Sequence, residues 1–342
     1  MKIAILTPTF NYYSGIDRVA QRQAEDYTKK GHDVTVVCLQ GEIKSKDYKV
    51  VELGTPKNSL LQKLHRLVFF LDFKRLGYYK NLKNFDIVIS HYYPMNLLAH
   101  VAKRKYKTRI KYFYHSHYRH KVFREDPLIH KIYMYFFLKF SNWSLKNVDK
   151  VYCVSEFVKR EMIKQGVIRR GIPLEVVKNK IDTKRFNKNV KGDRIIEKYN
   201  LRNKKVFLYV GRIAPHKRIE LIIKSFAKRK EYNPNSKLII VGKPTFKRYF
   251  KKLRKLADKD VIFTGFVDDR ELPEYYAACD YYVTASYDEC FNMPAVEAQA
   301  CGKPVIAFEI GSHPEVINKK KGGILIPEGN FKEFTNSIIN CT

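Results

Sequence analysis

Short runs of apolar residues alternate with stretches of helical spacing along nearly the whole chain. In the first half these runs predict strands at Lys2–Thr7, Asp33–Leu39, Phe85–Ser90, Arg109–His115, Lys150–Val154 and Glu175–Val177. Between the first two strands, Ile16–Lys30 has apolar residues at helical spacing and is followed by Gly31, a common helix stop. Apolar strands separated by helices are typical of a buried parallel sheet.

The same alternation repeats from Val206 onward. It predicts strands at Val206–Val210, Lys237–Val241, Val261–Thr264, Tyr281–Thr284, Pro304–Ala307 and Gly323–Ile326. Helices are predicted between them, at Arg218–Lys230, Thr245–Ala257, Leu272–Cys279, Met293–Cys301 and His313–Lys319. The charged residues 183–203 predict a linker that contains one helix. We therefore expect an α/β fold of two Rossmann-like domains, 1–182 and 204–342, facing each other across a cleft.

Length and charge narrow the class of protein only a little. A chain of 342 residues suits about two domains, and 45% hydrophobic residues are ample for their cores. The chain has 66 Lys and Arg against 34 Asp and Glu, a formal net charge of +32. Such a surplus attracts nucleic acid, anionic lipid or phosphorylated metabolites, although a lysine-rich solvated surface explains it equally well.

The cysteines and the lengths of the apolar runs indicate the cellular compartment of the protein. No Cys-x-x-Cys pair occurs, and the spread favours free thiols in a reducing compartment, at Cys38, Cys153, Cys279, Cys290, Cys301 and Cys341. The start Met1–Leu6 predicts a strand and lacks the features of a signal peptide. No apolar run approaches the roughly 20 residues of a membrane span. We predict a cytoplasmic protein that at most rests on the inner face of a membrane.

Two loops that follow predicted strands carry residues suited to phosphate. Gly15 directly precedes a helix, whose free N–H groups could meet a phosphate, although a simple turn glycine explains it at least as well. In the second half Gly211 ends a strand, and Arg212 and Lys217 extend from the following loop. A guanidinium fork and an ammonium suit a diphosphate, with two solvated surface cations as the alternative. Neither this loop nor Gly242-Lys243-Pro244 has Walker A spacing, which disfavours a P-loop protein.

Two glutamates lie around the start of a predicted helix. Asn292 is a good N-cap there, and Pro294 is tolerated in the first turn. Glu289 precedes the helix and Glu297 lies near its first turn. Their carboxylates suit hydroxyl-rich groups such as a sugar and a ribose, while a phosphate could meet the helix N–H groups. Acidic residues that only complement the helix dipole are an equally good explanation.

The segment His115–His120 contains three histidines at the end of a predicted strand. It lacks Asp, Glu or Cys companions at ligand spacing, so we predict no metal site. His115 is a candidate to face a cleft, and the other residues are assigned to surface or packing roles. The acidic pair Asp268-Asp269 is better explained by a turn before a helix near Glu271.

Together these motifs resemble the family-4 retaining glycosyltransferases, which have the GT-B fold. Glu289 and Glu297, separated by seven residues, match the family's signature, and the match continues through Ala298 to Ala307. Other similar segments occur in the family's order, at Gly31–Val34, Val151–Glu156, Asn179–Phe186, Gly211–Lys217 and Gly311–Ile317. The resemblance covers almost the whole chain.

The resemblance implies a role for each candidate residue. Arg212 and Lys217 would neutralise the departing diphosphate, and His115 would face the donor sugar. Glu289 would hold sugar hydroxyls and Glu297 the ribose hydroxyls. Backbone contacts to the donor would come from Gly15, Gly211, Phe291, Asn292 and Met293. The donor would be a UDP- or GDP-linked sugar, with no cofactor and no metal.

The chain departs from the family pattern at several positions. Cys290 and Asn292 stand where the family usually has glycine, which would tighten the sugar pocket and alter donor choice. Lys180 and Arg218 also replace common glycines, and Gly15 stands alone where a Gly-Gly pair is frequent. The sequence ends soon after Gly329-Asn330, before the long C-terminal helix that usually crosses to the first domain.

The implied reaction transfers a hexose from a nucleotide-diphosphate sugar to a hydroxyl of a glycan or lipid-linked acceptor, with retained configuration. A leaving-group oxygen would take the acceptor proton, so no protein nucleophile is needed. One alternative is a nucleic-acid-binding protein, although no clustered basic stripe or known module supports a specific nucleic-acid partner. A sugar-nucleotide epimerase or a glycan phosphorylase is the other alternative.

The acceptor would contact the first domain, where basic and apolar residues are mixed. The stretches 57–83 and 103–146 combine Lys and Arg with Tyr, Phe and Leu. Helices of this composition can lie on an anionic membrane, although helices with buried apolar faces have the same composition. An anionic membrane surface is therefore a candidate partner.

Overall fold

The computed structural model describes residues 1–11, 15–115, 128–168 and 171–341. The described residues form two compact units, one up to Asn179 and the other from Lys180 onward. Within these ranges, no helix has both the length and the apolar character that a bilayer crossing requires.

The first unit is built on a parallel sheet of seven described strands with the order β3-β2-β1-β4-β5-β6-β7. The strands are β1 (Lys2–Phe10), β2 (Asp33–Gly41), β3 (Lys49–Glu52), β4 (Ile87–Ser90), β5 (Ile110–Tyr114), β6 (Lys150–Cys153) and β7 (Leu174–Val176). The described helices are α1 (Gly15–Lys29), α2 (Ser59–Leu67), α3 (Phe73–Leu76), α4 (Met95–Tyr106), α5 (Leu128–Ser144) and α6 (Glu156–Lys164). The central strands β1 and β4 are almost entirely buried, which explains their continuous apolar runs.

The second unit is built on a parallel sheet with the order β10-β9-β8-β11-β12-β13. Its strands are β8 (Lys205–Val210), β9 (Ser236–Val241), β10 (Val261–Gly265), β11 (Tyr281–Thr284), β12 (Val305–Glu309) and β13 (Gly323–Pro327). Its helices are α7 (Asp193–Lys198), α8 (Ile219–Tyr232), α9 (Lys247–Leu256), α10 (Leu272–Ala278), α11 (Met293–Ala300), α12 (His313–Val316) and α13 (Phe331–Ile339). Two apolar clusters of buried side chains form its core.

The segment 183–203, expected to be a linker, is instead packed into the second unit. Phe186, Ile195 and Leu201 are buried in the same cluster as Tyr275 and Tyr276 of α10. The sequence does not predict this packing, because the three apolar residues are widely spaced among charged ones and form no periodic pattern. The predicted helix of this segment is α7, which begins at Asp193.

The structure also contains a strand that the pattern does not predict. β3 pairs with β2 at the edge of the first sheet, with Thr35 opposite Lys49 and Cys38 opposite Glu52. Its residues are exposed or half-buried, so no apolar run marks it. Edge strands commonly lack such a run because one side faces solvent.

Candidate active site

The candidate residues of the second unit lie where its sheet changes direction. β8 and β11 are neighbours, but the chain continues from β8 to β9 and β10 on one side and from β11 to β12 and β13 on the other. The loops that follow β8 and β11 therefore leave the same edge of the sheet on opposite faces. Such a switch point is where doubly wound sheets bind their ligands.

An ion pair joins these two loops. Lys217, in the 3₁₀ turn Pro215–Lys217, places its ammonium 2.5 Å from Oε1 of Glu289. The hydroxyl of Ser286 donates to the same oxygen at 2.8 Å. Desolvation by burial raises the pKa of Glu289, but the charges of Lys217 and His313 and these hydrogen bonds outweigh it, and the net pKa is lowered. Glu289 is therefore ionised at neutral pH.

Two glycines allow close packing of the backbone against the loops that carry the candidate residues. Gly311 has φ +53°, and a Cβ there would lie 2.3 Å from the carbonyl oxygen of Glu289. The same carbonyl accepts a 3.0 Å hydrogen bond from the N–H of Ser312. Gly242 has φ +144°, and a Cβ there would lie 1.9 Å from the carbonyl oxygen of Gly211. A side chain at either position would displace a loop of the site.

Arg212 lies in the same loop as Lys217 and is exposed to solvent. Gly211, just before it, donates its N–H to the carbonyl of Val241 at 3.0 Å. The hydroxyl of Tyr209 donates to the carbonyl of Arg212 at 3.0 Å. Desolvation raises the pKa of this phenol well above its ordinary value, and the charge of Glu289 raises it further. Tyr209 is therefore a neutral hydrogen-bond donor beneath the loop.

The second glutamate of the signature is more deeply buried. Glu297, on α11, is 1% exposed, and its Oε2 accepts a 2.9 Å hydrogen bond from the hydroxyl of Tyr276 on α10. Phe291 is buried just ahead of the helix, and Met293, its first residue, is half-buried. The structure thus brings Lys217 and Glu289 into contact and gives Glu297 a separate hydrogen-bond partner in Tyr276.

The backbone and side-chain contacts of Asn292 explain why asparagine can stand where the family usually has glycine. Its backbone is left-handed, with φ 59° and ψ 67°, a conformation that favours glycine and that asparagine tolerates. Its side-chain oxygen accepts from the N–H of Ala295 at 3.3 Å and caps α11, as predicted. Its amide nitrogen lies 2.8 Å from Nε2 of the buried His313. Asn292 therefore replaces glycine without strain and fills polar space beside the site.

The sheet of the first unit has its own switch point, between β1 and β4. Gly15 is the first residue of α1, and a Cβ on it would meet no described atom within 4 Å. His115 follows β5, and its Nε2 lies 2.9 Å from Nδ1 of His91. Nε2 of His91 in turn lies 2.9 Å from Oε1 of Gln23 on α1. Residues 116–120, the rest of the histidine segment, lie outside the described residues.

Both histidines are neutral at physiological pH. Desolvation lowers the pKa of His115 to about 4. Desolvation, followed by the charge of His115, lowers the pKa of His91 well below its ordinary value. In the part of the chain that the structure describes, no group of three or more His, Cys, Asp or Glu side chains could hold a metal ion.

Several partners of the candidate residues are not apparent from the sequence. They are Ser286 beside Glu289, Tyr276 beside Glu297, His313 beside Asn292, and His91 beside His115. Ser286 lies three residues before Glu289, a spacing that signals local contact. The others come from separate elements and carry no common motif.

Parallel sheets with charged loops at their switch points are typical of enzymes that bind nucleotides. Sucrose-phosphate synthase from Thermosynechococcus elongatus has the same fold, with a TM-score of 0.81 at 19% identity over 98% of this chain and 88% of that chain. The Anabaena protein HepE in complex with UDP-glucose gives a TM-score of 0.75 at 19% identity, over 99% and 89% of the two chains.

Family models identify the chain more closely. The model "Glycosyl transferases group 1" matches residues 192–341, and "Glycosyltransferase Family 4" matches residues 13–185. The chain therefore belongs to the group 1 glycosyltransferases of the family-4 type, with the GT-B fold. This confirms the resemblance found in the sequence.

Two curated relatives illustrate the range of similarity. An uncharacterized glycosyltransferase of Methanocaldococcus jannaschii is 25% identical over 99% of this chain and 88% of its own length. YtcC of Bacillus subtilis, also named as a glycosyltransferase, is 29% identical over 54% of this chain. The latter match spans about half of that relative's length, 49%.

Proposed function

We propose that this glycosyltransferase moves a hexose from a nucleotide-diphosphate sugar to an acceptor hydroxyl with retention of configuration. The observation that carries the proposal is the Lys217–Glu289 ion pair at the switch point between β8 and β11. Support for the donor class comes from HepE, a protein of the same fold whose structure contains UDP-glucose.

Lys217 and Arg212 stabilise the diphosphate as it leaves. An ammonium has three N–H donors, and Glu289 occupies one of them in this structure. The remaining donors of Lys217 and the exposed fork of Arg212 meet the charge that develops on the leaving oxygen. The ionised Glu289 accepts hydrogen bonds from sugar hydroxyls, and Glu297 accepts them from the ribose.

In the proposed step the acceptor oxygen bonds to the anomeric carbon on the face from which the diphosphate departs. The acceptor proton moves to the departing phosphate oxygen, so the step requires neither a protein nucleophile nor a metal. His115, neutral at physiological pH, faces the donor sugar as a hydrogen-bonding group. Backbone groups of Gly15, Gly211, Phe291, Asn292 and Met293 complete the donor contacts.

A thermal-shift screen against UDP, GDP, ADP and their hexose conjugates tests the donor class. The proposal predicts that one nucleotide family raises the melting temperature of the wild-type protein, and that Glu297→Ala abolishes the rise. If no nucleotide sugar changes the melting temperature, or if Glu297→Ala responds as the wild type does, the assignment is wrong.

We also propose a lipid-linked glycan as the acceptor, held at an anionic membrane surface by the first unit. Large apolar side chains are exposed on α2, α3 and α5, namely Leu61, Leu64, Phe73, Leu128, Ile129 and Ile132. The ring centroids of Phe70 and Phe140 are 5.3 Å apart, so the segment between α2 and α3 contacts α5. Lys63, Lys74 and Lys80 are exposed on the same part of the chain. Basic and apolar residues together are typical of membrane-surface segments.

Co-sedimentation with phosphatidylglycerol vesicles tests the membrane contact. Replacing Lys63, Lys74 and Lys80 by Gln is expected to weaken binding by about 1 kcal/mol per residue. Lys251 and Lys252, exposed on α9 of the second unit, are matched control positions. Arg75 is left intact because it donates to the carbonyls of Leu53 and Gly54. An equal loss of binding free energy per replaced residue in the two sets would contradict the proposal.

A further inference from the structure

Arg218, which follows Lys217, occupies a position where its backbone favours glycine. Its φ is 48° and its ψ is 45°, the left-handed region. The side chain is nevertheless buried, with 5% exposure. A long charged side chain in such a place requires specific partners, because a buried charge without them is strongly unfavourable.

The guanidinium of Arg218 finds those partners in the segment that leads to Glu289. Its Nε donates to the carbonyl of Ala285 at 2.5 Å, and its Nη2 donates to the carbonyl of Ser286 at 3.0 Å. Ala285 and Ser286 directly follow β11. The guanidinium therefore fixes two successive peptide groups just before the signature glutamate.

Aromatic rings enclose the same guanidinium. Its central carbon lies 4.1 Å from the ring centroid of Tyr287 and 4.6 Å from that of Phe308. Phe331 lies farther away, at 5.5 Å. Contacts between a cation and ring faces are attractive, and they also exclude water from the hydrogen bonds to the two carbonyls.

Three consecutive residues thus contact one short segment. The carbonyl of His216 accepts from the N–H of Tyr287 at 2.9 Å. Lys217 pairs with Glu289, and Arg218 holds the carbonyls of 285 and 286. Ser286 is also the residue whose hydroxyl donates to Glu289. The orientation of the Ser286 peptide therefore affects the carboxylate directly.

Arg218 does not cap the helix that it precedes. The N–H of Ile219, the first residue of α8, donates to the hydroxyl of Tyr249 at 3.1 Å. No side-chain cap bond forms at Arg218 itself. Its guanidinium instead donates to the carbonyls of Ala285 and Ser286.

We propose that Arg218 is a positioning residue, which holds residues 285–289 so that the Glu289 carboxylate stays against the Lys217 ammonium. The catalytic consequence rests on the proposed function, whereas the effect on the segment does not. Glycine at position 218 would suit the backbone but remove the contacts. Lysine would keep the charge but lose the planar fork that reaches two carbonyls.

Arg229 provides a matched control on α8, the helix that Arg218 precedes. It is 1% exposed, and its Nη1 donates to the carbonyls of Ile338 and Ile339 at 2.9 and 2.6 Å. Its central carbon lies 5.0 Å from the ring centroid of Phe207. Arg229→Lys therefore removes a comparable buried guanidinium whose carbonyl partners lie in α13, outside the 285–289 segment.

Hydrogen exchange of the full chain, with no ligand added, tests the positioning directly. Arg218→Gly and Arg218→Lys should each speed amide exchange in a peptide covering 285–292 by about tenfold, whereas Arg229→Lys should leave that peptide unchanged. Unchanged protection of the peptide in both Arg218 variants would overturn the proposal, and so would equal acceleration in Arg229→Lys.

Turnover of the donor found in the screen gives a second readout. We expect kcat to fall at least about tenfold in both Arg218 variants and to stay near wild type in Arg229→Lys. Wild-type kcat in both Arg218 variants would contradict a positioning role. If the wild type transfers no sugar, the proposed function fails, but the exchange result still decides the role of Arg218.

Discussion

The ammonium of Lys217 lies 2.5 Å from Oε1 of Glu289, although 72 residues separate them in the chain. Their side chains are only 16% and 13% exposed. A pair this far out of water gains little net stability, because desolvation offsets most of the attraction. A charged pair retained at the switch point of a parallel sheet, with a lowered glutamate pKa, is more typical of a ligand site than of a stabilising contact.

Replacing Lys217 by Ala tests the catalytic use of this pair. The variant lacks the ammonium that meets the leaving diphosphate, so kcat should fall by about 10²–10³-fold. Lys224, exposed on the neighbouring helix α8, provides the control, and Lys224→Ala should turn over as the wild type does. Wild-type kcat in Lys217→Ala would remove this residue from the mechanism.

The neutral state of His115 predicts a dependence of stability on pH. Its pKa is lowered from 6.5 to about 4 in the folded protein, so between these values the unfolded chain binds a proton that the folded chain does not. Stability is therefore full above the unfolded pKa and falls as the pH drops from 6.5 towards 4. One such histidine accounts for at most about 1.4 kcal/mol per pH unit.

In His115→Asn, the melting temperature should fall less steeply over this pH range. Melting curves of the wild type and the variant, measured in parallel at each pH, give the comparison. Identical slopes would show that His115 takes up its proton equally well in the folded protein.

The left-handed backbone at Asn292 predicts a difference between two substitutions there. Both Asn292→Ala and Asn292→Gly lose the amide contact with His313 and the cap of α11. Alanine additionally places an unsuited side chain at φ 59°, so it should cost about 1 kcal/mol more than glycine. Thermal denaturation measures both. Equal destabilisation would mean that the backbone relaxes when the side chain is removed.

The hydroxyl of Tyr276 is predicted to stabilise the folded protein through its hydrogen bond to Glu297. Tyr276→Phe removes this 2.9 Å bond to a buried carboxylate and should cost about 1.5–3 kcal/mol. The neighbouring Tyr275 is the control, because its hydroxyl lies 3.2 Å from the neutral hydroxyl of Tyr199. Tyr275→Phe should cost only about 1 kcal/mol. Equal losses of stability in the two variants would contradict the prediction.

The sequence predicts the fold correctly wherever a strand is buried on both faces. β1 and β8 have continuous apolar runs for that reason, and their predicted places are confirmed. The edge strand β3 gave no such signal. In 183–203 the core residues Phe186, Ile195 and Leu201 are too widely spaced to form a pattern among charged neighbours.

For the candidate site, the sequence predicts the separate motifs but not which of their residues touch. Strand ends and a helix start mark where Lys217 and Glu289 leave the backbone, but nothing local predicts that they touch. Their contact depends on β8 and β11 being neighbours, a property of strand order. The same holds for Tyr276 and His313, which reach the signature segment from α10 and α12. The catalytic roles of Lys217 and Glu289 stay predictions.

A crystal structure of the protein with the nucleoside diphosphate selected by the thermal-shift screen tests the central claim most directly. The account predicts diphosphate oxygens within hydrogen-bonding distance of Lys217 and Arg212, and the ribose hydroxyls on Glu297. Density for the nucleotide at another place in the protein, with Lys217 still bonded only to Glu289, would contradict it.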